Sequence, residues 1–362
     1  MDRALALARQ AIGLSQPNPR VGCVITGADG AVLGEGFTQQ AGGPHAEIMA
    51  LSDAAARGHR VAGATAWVTL EPCSHQGRTG PCCDALVAAG IHRVVASLQD
   101  PNPLVGGRGF ARLRAAGVAV EVGPGAEASR ELNIGFFSRM VRGRPWVRMK
   151  VAASLDGQTA LPSGASQWIT GTAARADGHA WRARAGAILT GVGTVLEDDP
   201  RLDVREAPVH RQPPLVVVDS RLQTPPTAAL FDVPNRPVWL YAAQPAPAAE
   251  AALAVRGARI AHLGGPGGKV DLAALLADLA AREVNELHVE AGYKLNGSLV
   301  REGLVDEFLV YLAPKLLGSG QGMAHFGPLA SLQDAMPLAF TSVDRVGDDL
   351  RVVARVVGRD RF

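Results

Sequence analysis

The sequence is short of several things, and each shortage narrows its class. It has no excess of charge of either sign: 36 lysines and arginines face 34 aspartates and glutamates, for a formal net charge of +2. A protein that tracks a long nucleic acid needs a surplus of cations, so the balance argues against a nucleic-acid partner. No apolar run reaches the roughly 18 residues that a membrane-spanning helix requires, so no membrane partner is expected. The opening stretch MDRALALARQAIG has an acidic second residue and helically spaced apolar positions. It lacks a basic start, an apolar core and a cleavage site, so no signal peptide is expected and the cytoplasm is the predicted location. Cysteine is scarce: Cys23, Cys73, Cys82 and Cys83 all fall in the first quarter of the chain. That suits metal binding or plain burial better than a disulfide framework. The glycines and prolines are spread along the chain, which excludes a low-complexity tail.

At 362 residues the chain is long for one compact core, and two domains are expected. In the first part, residues 2–13 read as a helix ending at Gly13, and Pro17-Asn18-Pro19 forces a turn. Val21 to Ile25 and Val32 to Phe37 read as strands around the Ala28-Asp29-Gly30 turn. A helix is predicted from His45 to Arg57, stopped by Gly58, and a third strand from Ala64 to Leu70. Pro81 opens another helix, with Cys82 in its first turn. A strand at Arg93 to Leu98, a helix at Gly107 to Ala116, a strand at Val118 to Val122 and a helix over residues 126–142 complete this part. The alternation argues for an α/β fold with helices covering a sheet. Gly143 and Arg144-Pro145 mark the expected domain boundary, giving domains of 1–143 and 144–362.

The chemistry of the first part lies in Pro44-His45-Ala46-Glu47, Glu71-Pro72-Cys73 and Pro81-Cys82. His45, Cys73 and Cys82 can supply three zinc ligands, leaving a fourth position for water, whose pKa the metal lowers. Glu47 can carry the proton between that water and a ring nitrogen as an amine leaves. The pattern is the H-x-E…P-C…C signature of zinc-dependent deaminases of nucleobases and related heterocycles. Resemblance to these deaminases assigns the proton transfer to the H-x-E glutamate and makes Glu71 the weaker candidate. Taken singly, His45 would be an ordinary histidine, and Cys73 and Cys82 small buried hydrophobes. A purely structural zinc site would want a fourth protein ligand, from His75 or Cys83.

Eight residues separate Cys73 from Cys82, where the generic signature has two. With that long spacing, the runs PNPRVGCVI, PHAEIMAL, VTLEPCSHQGRTGPCCDAL and ASLQDPNPLVGGRGF resemble the bifunctional deaminase-reductase family of bacterial riboflavin biosynthesis. One departure is Gly80, where that family usually has proline. The resemblance places Asn18 in a substrate-facing loop; as a residue type it is equally a turn asparagine bonded to its own backbone. His75 and Arg78 stand as further substrate contacts on the same footing.

The second part repeats nothing of the first. Its strands read as Trp146–Ser154, Ala187–Thr190, Leu215–Asp219, Val238–Ala242, Arg259–Leu263, Glu286–Glu290 and Glu307–Tyr311, with a C-terminal hairpin near Ala339–Val346 and Leu350–Val357. Gly191-Val192-Gly193-Thr194 follows a strand, but Leu196 stands where a dinucleotide fingerprint would have its third glycine. The stretch from Glu290 to Ser298 is a strand-to-helix turn that either holds a pyrophosphate or simply caps a helix.

Here the runs KVAASLDGQTA, SQWITG, ILTGVGTVLEDDPRLDVR and VEAGYKLNGSLV resemble the reductase half of the same family. The resemblance implies a cytidine-deaminase-like three-layer domain followed by a dihydrofolate-reductase-like domain. It implies zinc in the first and NADPH in the second. Cofactor contacts fall on Ala152, Trp168, Thr194, Asp198, Ser220 and on Gly292, Tyr293, Lys294, Leu295, Asn296, Gly297 and Ser298. Substrate contacts fall on Lys150, Ser166, Arg182, Leu202, Arg205 and Glu290. A sugar phosphate needs cations, and Arg182 and Arg205 suit bidentate contact. The expected substrates are pyrimidine ribosyl phosphates, deaminated first and then reduced at the ribosyl group. Oligomeric state stays open; glycine-rich α/β enzymes of this kind often pair.

Overall fold

The structure, a computed structural model, describes residues 1–75 and 80–362. The chain divides into two compact units, Met1–Gly143 and Arg144–Phe362.

The first unit runs α1 (Asp2–Arg9), β1 (Gly22–Thr26), β2 (Val32–Phe37), α2 (Ala46–Ala56), β3 (Thr65–Val68), α3 (Cys82–Ala88), β4 (Arg93–Ala96), α4 (Arg108–Ala115), β5 (Ala119–Val122), α5 (Ala126–Leu132) and α6 (Ile134–Arg142). Its five strands lie in the order β2-β1-β3-β4-β5. β1 is antiparallel to both neighbours, and β3, β4 and β5 are parallel. Successive residues of a strand face opposite sides, so β1 presents Gly22 to α1 and Cys23 and Ile25 to α2. Gly36, the partner of Cys23, lets α2 lie directly on the sheet, since a Cβ there would stand 2.4 Å from the Met49 Cβ. Helices on both faces make three layers. The single helix expected over 126–142 is two, broken at Asn133. That side chain takes the Arg20 backbone N–H at 2.7 Å and gives its own amide to the Arg20 and Ser129 carbonyls, so tertiary bonding interrupts the helical run.

The second unit runs β6 (Trp146–Ser154), β7 (Gln158–Ala160), α7 (Thr172–Arg184), β8 (Ala187–Gly191), α8 (Val192–Asp198), β9 (Leu215–Val218), β10 (Val238–Ala242), α9 (Pro247–Val255), β11 (Ala258–His262), α10 (Leu272–Ala281), β12 (Glu286–Val289), α11 (Tyr293–Arg301), β13 (Glu307–Ala313), β14 (Gln321–Gly322), β15 (Leu338–Val346) and β16 (Asp349–Val356). Nine strands form one sheet in the order β11-β10-β9-β8-β12-β6-β13-β16-β15, and β7 pairs with β14 apart from it. The seven from β11 to β13 are parallel, and the C-terminal hairpin joins antiparallel at one edge. One face of β6 is apolar: Val147, Met149 and Val151 join Leu275, Leu279, Leu299 and Val300 of α10 and α11 in a buried core. The other face carries Arg148 and Lys150. Arg148 is closed in by Glu286 at 2.8 Å and Glu307 at 2.5 Å, and stacks on Trp181 of α7. A buried guanidinium is tolerable only when paired and bonded in this way. Among the described residues no helix is long and apolar enough to cross a membrane.

Candidate active sites

In the first unit, sheet and helix ends gather the ligand set. His45 is the N-cap of α2, Cys73 follows β3 and its Glu71-Pro72 turn, and Cys82 is the first residue of α3. His45 Nδ1 lies 3.5 Å from Cys73 Sγ and 3.4 Å from Cys82 Sγ, and the three ligand atoms lie within 4.8 Å of one another. One imidazole nitrogen and two thiolate sulfurs suit zinc, and three ligands leave a position open. The two thiols are tightly coupled: Cys73 is held well below the ordinary thiol range by the hydrogen bond from Cys82, with burial opposing and His45 and the Cys82 backbone N–H assisting. That ready thiolate is what a soft cation requires.

Glu47, in the first turn of α2, is 3% exposed. Burial pushes its carboxyl up to about 7, with the nearby Cys73 charge adding to the rise. Glu71 is equally buried but fully engaged. One carboxylate oxygen takes the backbone N–H groups of Asp100 and Gly107 at 3.0 and 2.9 Å, the other those of Gly109 and Phe110 at 2.8 and 3.2 Å. Gly109 and Phe110 are in the first turn of α4, so Glu71 caps that helix from a distant strand end. Cys83 is buried and gives its Sγ–H to the Pro72 carbonyl at 3.1 Å; neither it nor the exposed His75 joins the ligand cluster. Asn18 sits in the half-buried turn after α1, where its backbone N–H bonds Ser15, and is outside the cluster as well. Arg78 lies outside the described residues. A shallow apolar groove of about 530 Å³ runs between α2 and α3, along Pro44, Ile48, Pro81 and Ala85, beside the ligands.

In the second unit a cavity of about 420 Å³ opens where parallel strands end and helices begin. Lys150 and Ala152 reach it from β6, Arg182 from α7, Thr194 and Asp198 from α8, and Leu202 and Arg205 from the segment after α8. Glu290 enters after β12, Gly292, Tyr293 and Asn296 at the start of α11, and Ser166 and Trp168 before α7. Burial of the Trp168 ring in a core is excluded: it is 62% exposed at the wall, with the Arg175 guanidinium 4.6 Å from its centre. Asn296 gives its amide to the Met323 carbonyl at 3.0 Å, while its buried Oδ1 has no partner among the described residues. An orphaned acceptor in the wall of a cavity fits a bound group that donates hydrogen bonds, as the amide and hydroxyls of a nicotinamide nucleotide do.

Five residues expected at the cofactor do not line this cavity. Ser220, after β9, accepts the Val270 N–H at 3.2 Å. Lys294 is exposed on α11, and Leu295 packs on the core beside Gly191. Ser298 bonds back to the Lys294 carbonyl at 3.3 Å. Gly297 answers a steric demand, because a Cβ there would fall 1.8 Å from the His325 carbonyl oxygen. The bidentate phosphate contact expected of Arg182 is also displaced. Its guanidinium is forked onto Glu290, with Nη2 2.9 Å from Oε2, and Nη1 donates to the Asp203 carbonyl at 2.9 Å. Lys150 Nζ stands 3.5 Å from the same Glu290, so it is paired, not a solvated lysine on a polar face. Burial works to raise the Glu290 carboxyl, but Arg182 and Lys150 outweigh it and hold the group well below the usual range. Arg205 is the arginine left facing outward, its side chain 53% exposed. Arg175 and His179 also line the wall. They were missed in sequence, where only their spacing on α7 from Arg182, seven and three residues before it, hints at a shared face.

Two family models match the chain: the cytidine and deoxycytidylate deaminase zinc-binding region over residues 1–98, and the RibD C-terminal domain over residues 145–352. The chain belongs to the RibD family. The riboflavin biosynthesis protein RibD of Escherichia coli K12 is 46% identical over 363 residues, covering 97% of this chain and 96% of the relative. That of Haemophilus influenzae is 41% identical over 97% of this chain and 95% of the relative. Among solved structures, Acinetobacter baumannii RibD matches with a TM-score of 0.88 at 38% identity, over 98% of this chain and 97% of that one. A diaminohydroxyphosphoribosylaminopyrimidine deaminase/5-amino-6-(5-phosphoribosylamino)uracil reductase of Thermotoga maritima matches at 0.86 and 31%, with the same coverage. This RibD family member is therefore a bifunctional deaminase and reductase of riboflavin biosynthesis. It combines a zinc-binding, cytidine-deaminase-like unit with a reductase unit that uses NADPH.

Proposed function

We propose that Met1–Gly143 deaminates a diamino-ribosylamino-pyrimidinone 5'-phosphate and that Arg144–Phe362 reduces the ribosyl group of the product to a ribityl chain. The observation that carries the reading is a deaminase ligand set in one unit and an open cavity with paired charges in the other.

In the first unit His45, Cys73 and Cys82 would hold the zinc, which when bound supplies the Lewis acidity that makes water nucleophilic near neutral pH. Glu47 is the proton carrier. Its carboxylate takes one proton from the attacking water and delivers it to the ring nitrogen, then takes the remaining proton of the added hydroxyl and gives it to the amine, so that a carbonyl forms as the C–N bond breaks and ammonia leaves. Glu71 holds no role in proton transfer because both its oxygens are already bonded. Asn18 and His75 are proposed substrate contacts by resemblance alone.

In the second unit NADPH, when bound, supplies the hydride. Trp168, Thr194, Asp198, Ala152 and the start of α11 at Gly292, Tyr293 and Asn296 would hold it. Lys150, Glu290, Ser166 and Leu202 would orient the sugar, and Arg205 would meet the phosphate. The protein's work here is to align two ligands and keep the charges of Lys150, Arg182 and Glu290 fixed. Small-molecule substrates and a cytoplasmic setting agree with the near-neutral charge and with the absence of any membrane-spanning helix among the described residues.

Glu47→Ala tests the two-site reading. Zinc should remain bound, ammonia release should fall by at least about a hundredfold, and NADPH-dependent reduction of already deaminated substrate should persist. Loss of both reactions in a folded protein would overturn the separation of sites, and surviving deamination would overturn the role of Glu47.

A further inference from the structure

We propose that His179 is a positioning residue of the reductase site, which presents Arg205 to the substrate phosphate and does so only while its imidazole is neutral. The inference rests on the reading of Arg205 as the phosphate contact. His179 lies on α7, three residues before Arg182, and is 3% exposed against the cavity wall. Its Nδ1 accepts the backbone N–H of Arg205 at 3.4 Å. A ring nitrogen that accepts carries no proton, so the neutral ring bears its proton on Nε2, which points toward Glu206 at 3.8 Å.

The three residues leading to the Arg205 side chain are each fixed from below. Arg182 Nη1 donates to the Asp203 carbonyl at 2.9 Å, Gln212 exchanges hydrogen bonds of 2.8 Å with both backbone groups of Val204, and His179 takes the Arg205 N–H. Of these three anchors only His179 belongs to a residue type whose charge ordinarily changes between about pH 5 and 8. The guanidinium of Arg205 is oriented by Asp203 at 2.7 Å, and Asp203 also meets Arg201 at 3.4 Å.

The charged groups facing the imidazole are Arg182 on its own helix, Arg205 and Glu206 on the segment after α8, and Glu290 after β12. Burial, then Arg182 and Arg205, hold His179 below the ordinary histidine range, with Glu206 and Glu290 working the other way. Protonation would remove the acceptor and set a third cation between two guanidiniums. The Arg205 segment would then loosen on the acid side of about pH 6.5.

The test uses the full-length enzyme with NADPH and deaminated substrate, reading KM and kcat separately between about pH 5 and 8. An asparagine side chain at this position would place its Oδ1 where Nδ1 stands and cannot be protonated there, so H179N is the conservative replacement. H179A should raise the substrate KM about tenfold at pH 8 with kcat little changed. H179N should recover most of that rise and should lack the increase in KM that the wild type shows on acidification. NADPH binding, followed by fluorescence, and ammonia release report that both units remain folded. If H179A fails to bind NADPH, the pH profile of H179N alone decides. Identical profiles for H179N and wild type, or an unchanged KM in a folded H179A, would overturn the proposal. R205A separates the two layers: if it raises KM while H179A does not, only this inference falls, and if R205A leaves KM unchanged, the phosphate reading falls and takes the inference with it.

Discussion

Glu47 follows His45 by two residues and Glu71 precedes Cys73 by two, yet their surroundings suit them to opposite work. Glu47 is buried with its carboxyl raised to about 7, while Glu71 is surrounded by four backbone N–H donors. The Glu71→Gln variant turns one of those oxygens into a donor that faces two others. It should destabilise the first unit by about 1–3 kcal/mol, seen as a lower melting temperature, while any residual activity keeps its wild-type pH dependence. A changed pH profile for deamination would return Glu71 to the list of proton carriers. The contrast also shows what a sequence can and cannot display. The H-x-E and P-C elements were readable because each is a local pattern with its own chemistry. The donors to Glu71 stand 29 to 39 positions away, and no spacing rule announces them. Arg182 is a similar case, since its type suggested a phosphate while its location gave it to Glu290, 108 residues downstream.

β6 was legible from end to end, Trp146 to Ser154, because its alternation and length are those of a strand. Its charged face was not, because the partners come from strands that only the parallel topology sets beside it. Arg148 lies between Glu286 of β12 and Glu307 of β13, and Arg355 of β16 meets Glu307 at 2.8 Å. The two-residue β14 and its partner β7 were too short for any periodicity to register, and the Asn133 break is made by a contact 113 residues away. The ladder has a consequence for acid stability. Burial works against ionisation of Glu307, but Arg148 and Arg355 outweigh it and depress its pKa, and Glu290 is depressed likewise by Arg182 and Lys150. The folded state therefore binds fewer protons than the unfolded one. The stabilisation is complete above the ordinary glutamate value of about 4.3 and drains away as pH falls through the lower folded values. Thermal melting of the second unit should hold steady from neutrality down to about pH 5 and drop steeply below about pH 4. E307Q should cost about 3–5 kcal/mol at pH 7, because Arg148 and Arg355 stay buried with a partner's charge removed, and should flatten the acid limb. An acid limb unchanged in E307Q would show that other carboxylates carry it.

At the scale of the whole molecule, a near-neutral charge, two α/β patterns and a change of motif content at residues 143–145 were all visible in the sequence. The cavity was visible only in outline: resemblance named Gly297, Lys294 and Ser298 along with Gly292 and Asn296, and helix geometry then turned them to different sides. Chelation of the metal should stop ammonia release and leave NADPH oxidation on deaminated substrate intact, measured on one sample with both assays; inhibition of both would tie the reductase to the metal. The uneven placement of cysteine reaches further. Cys73 and Cys82 hold their sulfurs within 4.8 Å of the same histidine nitrogen, and no cysteine follows Cys83. A thiol oxidant such as diamide would join those two sulfurs as a disulfide, accepting two electrons from the thiolates and two protons from solvent, and a disulfide could no longer hold the ion, while the second unit offers the oxidant no thiol. Oxidative stress would then disarm the enzyme from one end only: the later reaction would sit idle but intact for want of feedstock, and a reductant with fresh zinc would restart the sequence from its first step.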